Sequence, residues 1–146
     1  MKVTHKWTGN KVAANTDRLM MLAVERCAWK LEGEVKIALS RAGANSKDKQ
    51  KGMYYNRDRS KWVEPSPVGT PPYTQTGLLK NSIAHIPLEG GMAQRVGPRD
   101  RLEYARRHEL GDDNGYPARP YLGPTFTRLL PWMTLQLRKA ARKGLS

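Results

Sequence analysis

Few side chains in this chain combine the type and spacing that catalysis requires. His108-Glu109 begins like the zinc-protease helix motif, but that motif needs a second histidine four residues on, and Asp112 stands there. His5 and His85 keep no ligand spacing with it or with each other, so no metal site is expected. The single cysteine, Cys27, falls on an apolar helical stripe, which makes it a core residue rather than a nucleophile. No serine sits in a nucleophile elbow. Asp112-Asp113 could bind a cation, although two acids in a Gly/Asn-rich loop are usually just solvated. The one enzymatic reading left is a compact nuclease or toxin using His108 and Glu109. The expectation is a protein without catalysis and without cofactor.

A second chemistry is electrostatic. The chain has 26 Lys+Arg against 13 Asp+Glu, a formal charge of +13. Residues 1–62 carry 14 basic and 6 acidic side chains, residues 63–123 carry 7 of each, and residues 124–146 carry 5 basic and none acidic. The middle is therefore neutral and both flanks are basic, a distribution that attracts polyanions and repels like-charged copies. Lys47, Lys49, Lys51, Arg57, Arg59 and Lys61 are interleaved with Tyr54, Tyr55 and Trp62. Cations can neutralise phosphates and such aromatics can stack on unpaired bases; the plainer alternative is a solvated loop with its aromatics tucked onto the domain. Arg138, Lys139, Arg142 and Lys143 form a second cluster, which could equally complement a helix dipole.

The elements that would position these groups follow from periodicity. The chain is expected to be one domain, given its 146 residues. An apolar content of 38% gives a thin core, so part of the apolar surface would be covered by a partner or by further copies. No run has the length of a membrane span, residues 1–7 lack the apolar stretch of a signal peptide, and one cysteine permits no internal disulfide. After a polar arm over 1–15, Met20, Val24, Cys27, Leu31, Val35 and Ala38 mark a helix over 16–42, capped by Asn15 or Thr16 and stopped by Gly43. Residues 43–75, rich in Lys, Gly, Pro and Ser, read as a long basic loop with at most a short extended piece over 53–57. Over 76–123 a short helix capped by Thr76 is expected, then a hairpin turning at Glu89-Gly90-Gly91, a helix over 101–110 and a strand over 118–122. Phe126, Leu130, Met133, Leu137 and Ala141 mark one face of a last helix over 124–146, which Pro131 should kink or split. The fold expected is α+β: a long N-terminal helix and a kinked C-terminal helix packed on a small, mainly antiparallel sheet.

Short signatures run through this frame in a fixed order. They are Ser66-Pro67-Val68-Gly69-Thr70-Pro71-Pro72, then Thr76-Gly77-Leu78-Leu79 with Ser82-Ile83, Val96-Gly97, Tyr104-Ala105, Glu109-Leu110-Gly111, and Arg119-Pro120-Tyr121-Leu122 with Pro124. In order and spacing they resemble the small minor tail components of long-tailed bacteriophages, also called neck or tail-completion proteins. The resemblance covers the C-terminal half. Leu110 departs from it, being aliphatic where the family usually has an aromatic, and Asp112-Asp113-Asn114 replaces a small hydroxyl residue.

Physically these residues read as structural. Gly77, Gly97 and Gly111 would allow turns that a side chain would strain, and Pro120 and Pro124 would set the start of the last helix. Glu109 and Arg119 could pair across a turn, or each be separately solvated. The resemblance implies a non-catalytic virion protein of the neck or upper tail, present in the host cytoplasm during assembly. It implies a homo-oligomeric ring, a hexamer, around the DNA path, touching other neck, portal-side and tail-tube proteins and contacting channel DNA without sequence preference. A head-closure or adaptor role in the same neck is the near alternative. A small, basic, non-specific nucleic-acid-binding protein is the alternative of another class.

Overall fold

The computed structural model describes residues 9–57, 60–99 and 102–145. Helix α1 (Gly9–Ala38) begins well before residue 16 and ends short of 42. Ala13 and Ala14 are strong helix formers and extend it backwards through the expected arm, of which residues 1–8 lie outside the described residues. Thr16 is therefore no cap; its hydroxyl donates back to the Val12 carbonyl at 2.8 Å. Gly43 does not stop the helix either. A Cβ there would run into the Tyr73 ring and stand 2.8 Å from the Glu64 carbonyl, so this glycine serves a close approach.

Residues 43–75 hold a small sheet where a loop was expected. Strands β1 (Asn45–Ser46), β2 (Tyr54–Asn56) and β3 (Lys61–Val63) pair antiparallel in the order β1-β3-β2. Beyond it, α2 (Leu78–Ser82) leads into a hairpin of β4 (Ile83–Leu88) and β5 (Ala93–Pro98), joined through a 3-10 turn at Glu89–Gly91 as the sequence suggests. Helix α3 (Glu103–Leu110) falls inside its expected range. Residues 118–122 form no strand: the Arg119 amide bonds the His108 carbonyl, Pro120 has none to give, and those of Tyr121 and Leu122 go to Glu109 at the start of the last helix. That helix, α4 (Gly123–Leu145), runs unsplit through Pro131. Pro131 sits on its exposed side, where the carbonyl left without an amide partner can meet water.

The two long helices pack antiparallel: Gly144 lies against Thr16, while Arg128 donates to Glu34 at 2.8 Å. Cys27, Leu31, Val35 and Leu39 from α1 and the residue that follows it meet Ile83, Tyr121, Leu129 and Met133 in one core. The α1 stripe is thus right at its centre, and Cys27 is buried as expected. The α4 stripe is right in part: Met133 is buried as expected, and Leu137 and Ala141 are half-buried. Thr125, Leu129 and Met133 face inward, and Phe126 and Leu130 stay 44% and 46% exposed. The β4–β5 hairpin closes the core against α1. Glu32 ties them, accepting the His85 amide at 3.0 Å, meeting the His85 ring Nδ1 at 2.5 Å and pairing with Lys36. The architecture is α+β, two long helices on small antiparallel sheets.

Candidate functional site

The residues of the sequence signatures converge on the start of α4. Glu109, in the last turn of α3, points its carboxylate at three consecutive backbone amides. Oε2 accepts from Tyr121 at 2.9 Å and Leu122 at 3.0 Å, and Oε1 from Gly123 at 2.8 Å. The first amides of a helix lack intrahelical partners and carry its positive dipole end, so a carboxylate from another helix serves both needs. Glu109 does not pair with Arg119. Arg119 instead donates from Nε to the Ser66 carbonyl at 3.0 Å and lies over the Tyr116 ring at 5.3 Å. Its backbone amide donates to the His108 carbonyl at 2.6 Å, and Gly69 donates to the Ala118 carbonyl at 3.0 Å. Three signature pieces distant in sequence are thereby joined.

The remaining signature positions support this junction. Gly111 closes α3 at φ 75, and a Cβ there would stand 2.8 Å from the Tyr116 carbonyl. Gly77 opens α2 at φ 78, and Thr76, one residue earlier, accepts the Leu78 amide at 3.3 Å. Gly97 corrects the expectation: it sits in β5 opposite Ala84, without positive φ and with open space where a Cβ would be. Ser82, Ile83, Ala105 and Tyr121 are buried, Leu79 and Leu122 pack half-buried against the core, and Tyr104 is partly exposed on α3. Burial, then the nearby Glu109 and Tyr104, push the Tyr121 phenol up to about 12. Pro120 and Pro124 flank these residues at the approach to α4 and in its first turn. Asp112 binds its own loop, accepting the amides of Asn114 at 3.0 Å and Tyr116 at 3.1 Å, so its carboxylate has a local structural use. Among the described residues no group of three or more His, Cys, Asp or Glu is placed to hold a metal ion. No described helix is long and apolar enough to cross a membrane.

A cleft of about 610 Å³ opens between this junction and the small sheet, lined by Tyr54, Tyr73, Tyr104, His108, Tyr116 and Arg119 among others. Burial and the Arg119 charge hold His108 below its usual range, and burial raises Tyr54 and Tyr104. At neutral pH these are uncharged rings that can stack and hydrogen-bond. No local pattern in the sequence signals the cleft, because its rings come from segments far apart in the chain.

The cationic residues divide. Lys47, Lys49, Lys51, Arg57 and Lys61 are exposed on or beside the small sheet, while Arg59 lies outside the described residues. Arg138, Lys139, Arg142 and Lys143 are exposed near the far end of α4. Because Gly144 touches Thr16 while the small sheet follows the end of α1, the clusters occupy opposite ends of the helix pair, about 30 Å apart at 1.5 Å per residue. Compared with protein-family models, curated proteins and solved structures, the chain matches none.

Proposed function

We propose that this chain is a structural protein of a bacteriophage virion, a neck component that completes the tail at the head–tail junction by assembling as a ring, a hexamer, around the DNA path. The observation that carries the reading is the use to which the signature residues are put. Glu109 ties α3 to the start of α4, Gly111 closes α3, and Arg119 and the turn at Gly69 tie the linker between the two helices to residues 66–69, which supports a scaffold role for the signatures. Large apolar side chains left uncovered agree with burial by further copies: Trp29 and Ile37 on α1 are 60% and 65% exposed, and Phe126 and Leu130 on α4 are 44% and 46% exposed.

The separation of the basic clusters refines the reading. In a ring whose subunits set the helix pair along the channel axis, the two clusters lie at different levels, so one of them meets the layer above or below. Portal-side and tail-tube surfaces are the partners proposed there, with head closure or an adaptor role as the variant within the same neck. Sedimentation velocity across a range of protein and salt concentrations should show a ring-sized species, and cross-linking during infection should capture portal-side or tail-tube protein. A chain that stays monomeric or dimeric throughout and cross-links only to nucleic acid would favour the small DNA-binding protein instead.

A further inference from the structure

We propose that the outward face of the β1-β3-β2 sheet is a stacking platform for single-stranded nucleic acid, built on Trp62 and Tyr55. Strand register sorts the aromatics of this segment onto opposite faces. Tyr54 pairs with Val63, which is 5% exposed, and lines the tyrosine cleft. One residue along, Tyr55 pairs with Trp62, so these two share the other face, because alternate residues of a strand point to opposite sides. Their rings meet edge-on at 5.4 Å, and Tyr55 remains 49% exposed. Lys49 places its ammonium 5.4 Å from the centre of the Trp62 ring. Lys47, Lys51 and Arg57 stand exposed in the segments that bound the strands, and Lys61, paired with Asn56, belongs to the cleft-side face.

The charge around this face is not neutralised within the described residues. Ion pairs there join Lys30, Lys36, His85, Arg107 and Arg128 to carboxylates, and none involves Lys47, Lys49, Lys51 or Arg57. Lys49 over the Trp62 ring, with Lys47, Lys51 and Arg57 exposed in the flanking segments and in no ion pair among the described residues, joins two partly exposed rings to supply both requirements of single-strand binding: charge for the phosphates and π-faces for unstacked bases. Duplex DNA would engage the cations alone, since its bases are already stacked. The inference stands apart from the ring reading, because a monomer carries the whole face.

The test is fluorescence anisotropy of labelled oligothymidylate and of a duplex of equal nucleotide content, titrated with the full chain at several salt concentrations. The single strand should bind tighter. Trp62→Ala and Tyr55→Ala should each weaken it by about 5- to 150-fold, the range for losing one base-stacking partner, while leaving duplex binding and the salt slope unchanged. Gln at Lys47, Lys49, Lys51 and Arg57 should instead shrink the slope by about 0.7 for each phosphate that is no longer neutralised. Trp62→Phe keeps a π-face and should bind nearly as the parent, which separates stacking from damage to the sheet. Equal affinity for the two forms, with no effect of Trp62→Ala or Tyr55→Ala, would overturn the proposal and leave an ordinary basic surface. Failure of oligomerisation would not bear on it.

Discussion

Removing the Glu109 carboxylate is the sharpest test of the junction. Glu109→Ala strips three amides of their acceptor at once. Gly123 is exposed and water can replace its bond; Leu122 is half-buried and partly rescued; Tyr121 is buried, and its amide would be left unsatisfied. Loss of a helix cap costs about 1 kcal/mol, loss of the negative charge at the dipole about 0.3–1 kcal/mol, and a stranded buried donor about 1–3 kcal/mol. Allowing for overlap between these effects, the expected destabilisation is about 2–4 kcal/mol. Glu109→Gln keeps one acceptor oxygen, which can serve Tyr121 and Leu122, and should cost about half as much. Urea unfolding at neutral pH should show a lower midpoint at unchanged slope for both variants, in that order. Glu25→Ala, an exposed position on α1, is the control and should stay within about 0.5 kcal/mol of the parent. If Glu109→Ala also stayed within that range, the carboxylate would not be holding α4, and the structural reading of the signatures would fail with it.

Three further outcomes rest on the same geometry. Gly111→Ala forces a Cβ to within 2.8 Å of the Tyr116 carbonyl at φ 75 and should destabilise by at least about 1–3 kcal/mol, whereas Gly97→Ala meets open space and should be neutral or slightly stabilising; thermal melts of the pair that came out alike would refute the distinction. Glu32 loses some ease of ionisation to burial, but its hydrogen bonds to Lys36 and His85 outweigh this and hold its carboxyl below the usual range. Its contribution is therefore present above the unfolded value of about 4.5 and lost as pH falls below it. Glu32→Gln should lower stability at neutral pH and flatten the acid limb of a stability–pH curve. Tyr121 has the opposite sign. Its folded value of about 12 lies above the unfolded value near 10, so its contribution is complete below pH 10 and disappears as pH rises through 12. Absorbance titration should find this phenol ionising last, and Tyr121→Phe should lessen the alkaline loss of stability.

The helices and the β4–β5 hairpin were legible because each carries a local pattern: a 3.6-residue stripe through Cys27, Leu31 and Val35, and a Gly-Gly turn between extended runs. The small sheet was not, because its strands are two or three residues long and rich in Lys, Asn and Tyr. It is held by pairings such as Tyr54 with Val63 and by Tyr73 closing on Gly43, neighbours that leave no periodic trace. On α4 the pattern held at Met133 and misled by one position in the first turns. Phe126 and Leu130 are apolar at helical spacing, yet the inward face begins at Thr125. A threonine can be buried there because its hydroxyl donates to the Tyr121 carbonyl at 2.7 Å, which removes the cost that excludes an unsatisfied hydroxyl from a core.

The site shows the same limit more sharply. The sequence marked Glu109 and Arg119 as important and offered each the other as partner, since opposite charges ten residues apart are the visible signal. Both turned to backbone instead, Glu109 to the amides opening α4 and Arg119 to the Ser66 carbonyl. Backbone groups are the same at every residue and cannot be read from side-chain identity, so a sequence reveals that a charged group matters more readily than what it touches. The basic flanks carry the corresponding lesson for electrostatics. Residues 1–62 and 124–146 each show an excess of cations, but the tally does not say how the two flanks lie in space. Antiparallel packing of α1 and α4 carries the end of the chain back to Thr16, away from the small sheet. Two patches separated by nearly four Debye lengths, at about 8 Å each in physiological salt, act independently. Their ligands can therefore differ, and substitutions in one should leave the salt dependence of the other unchanged.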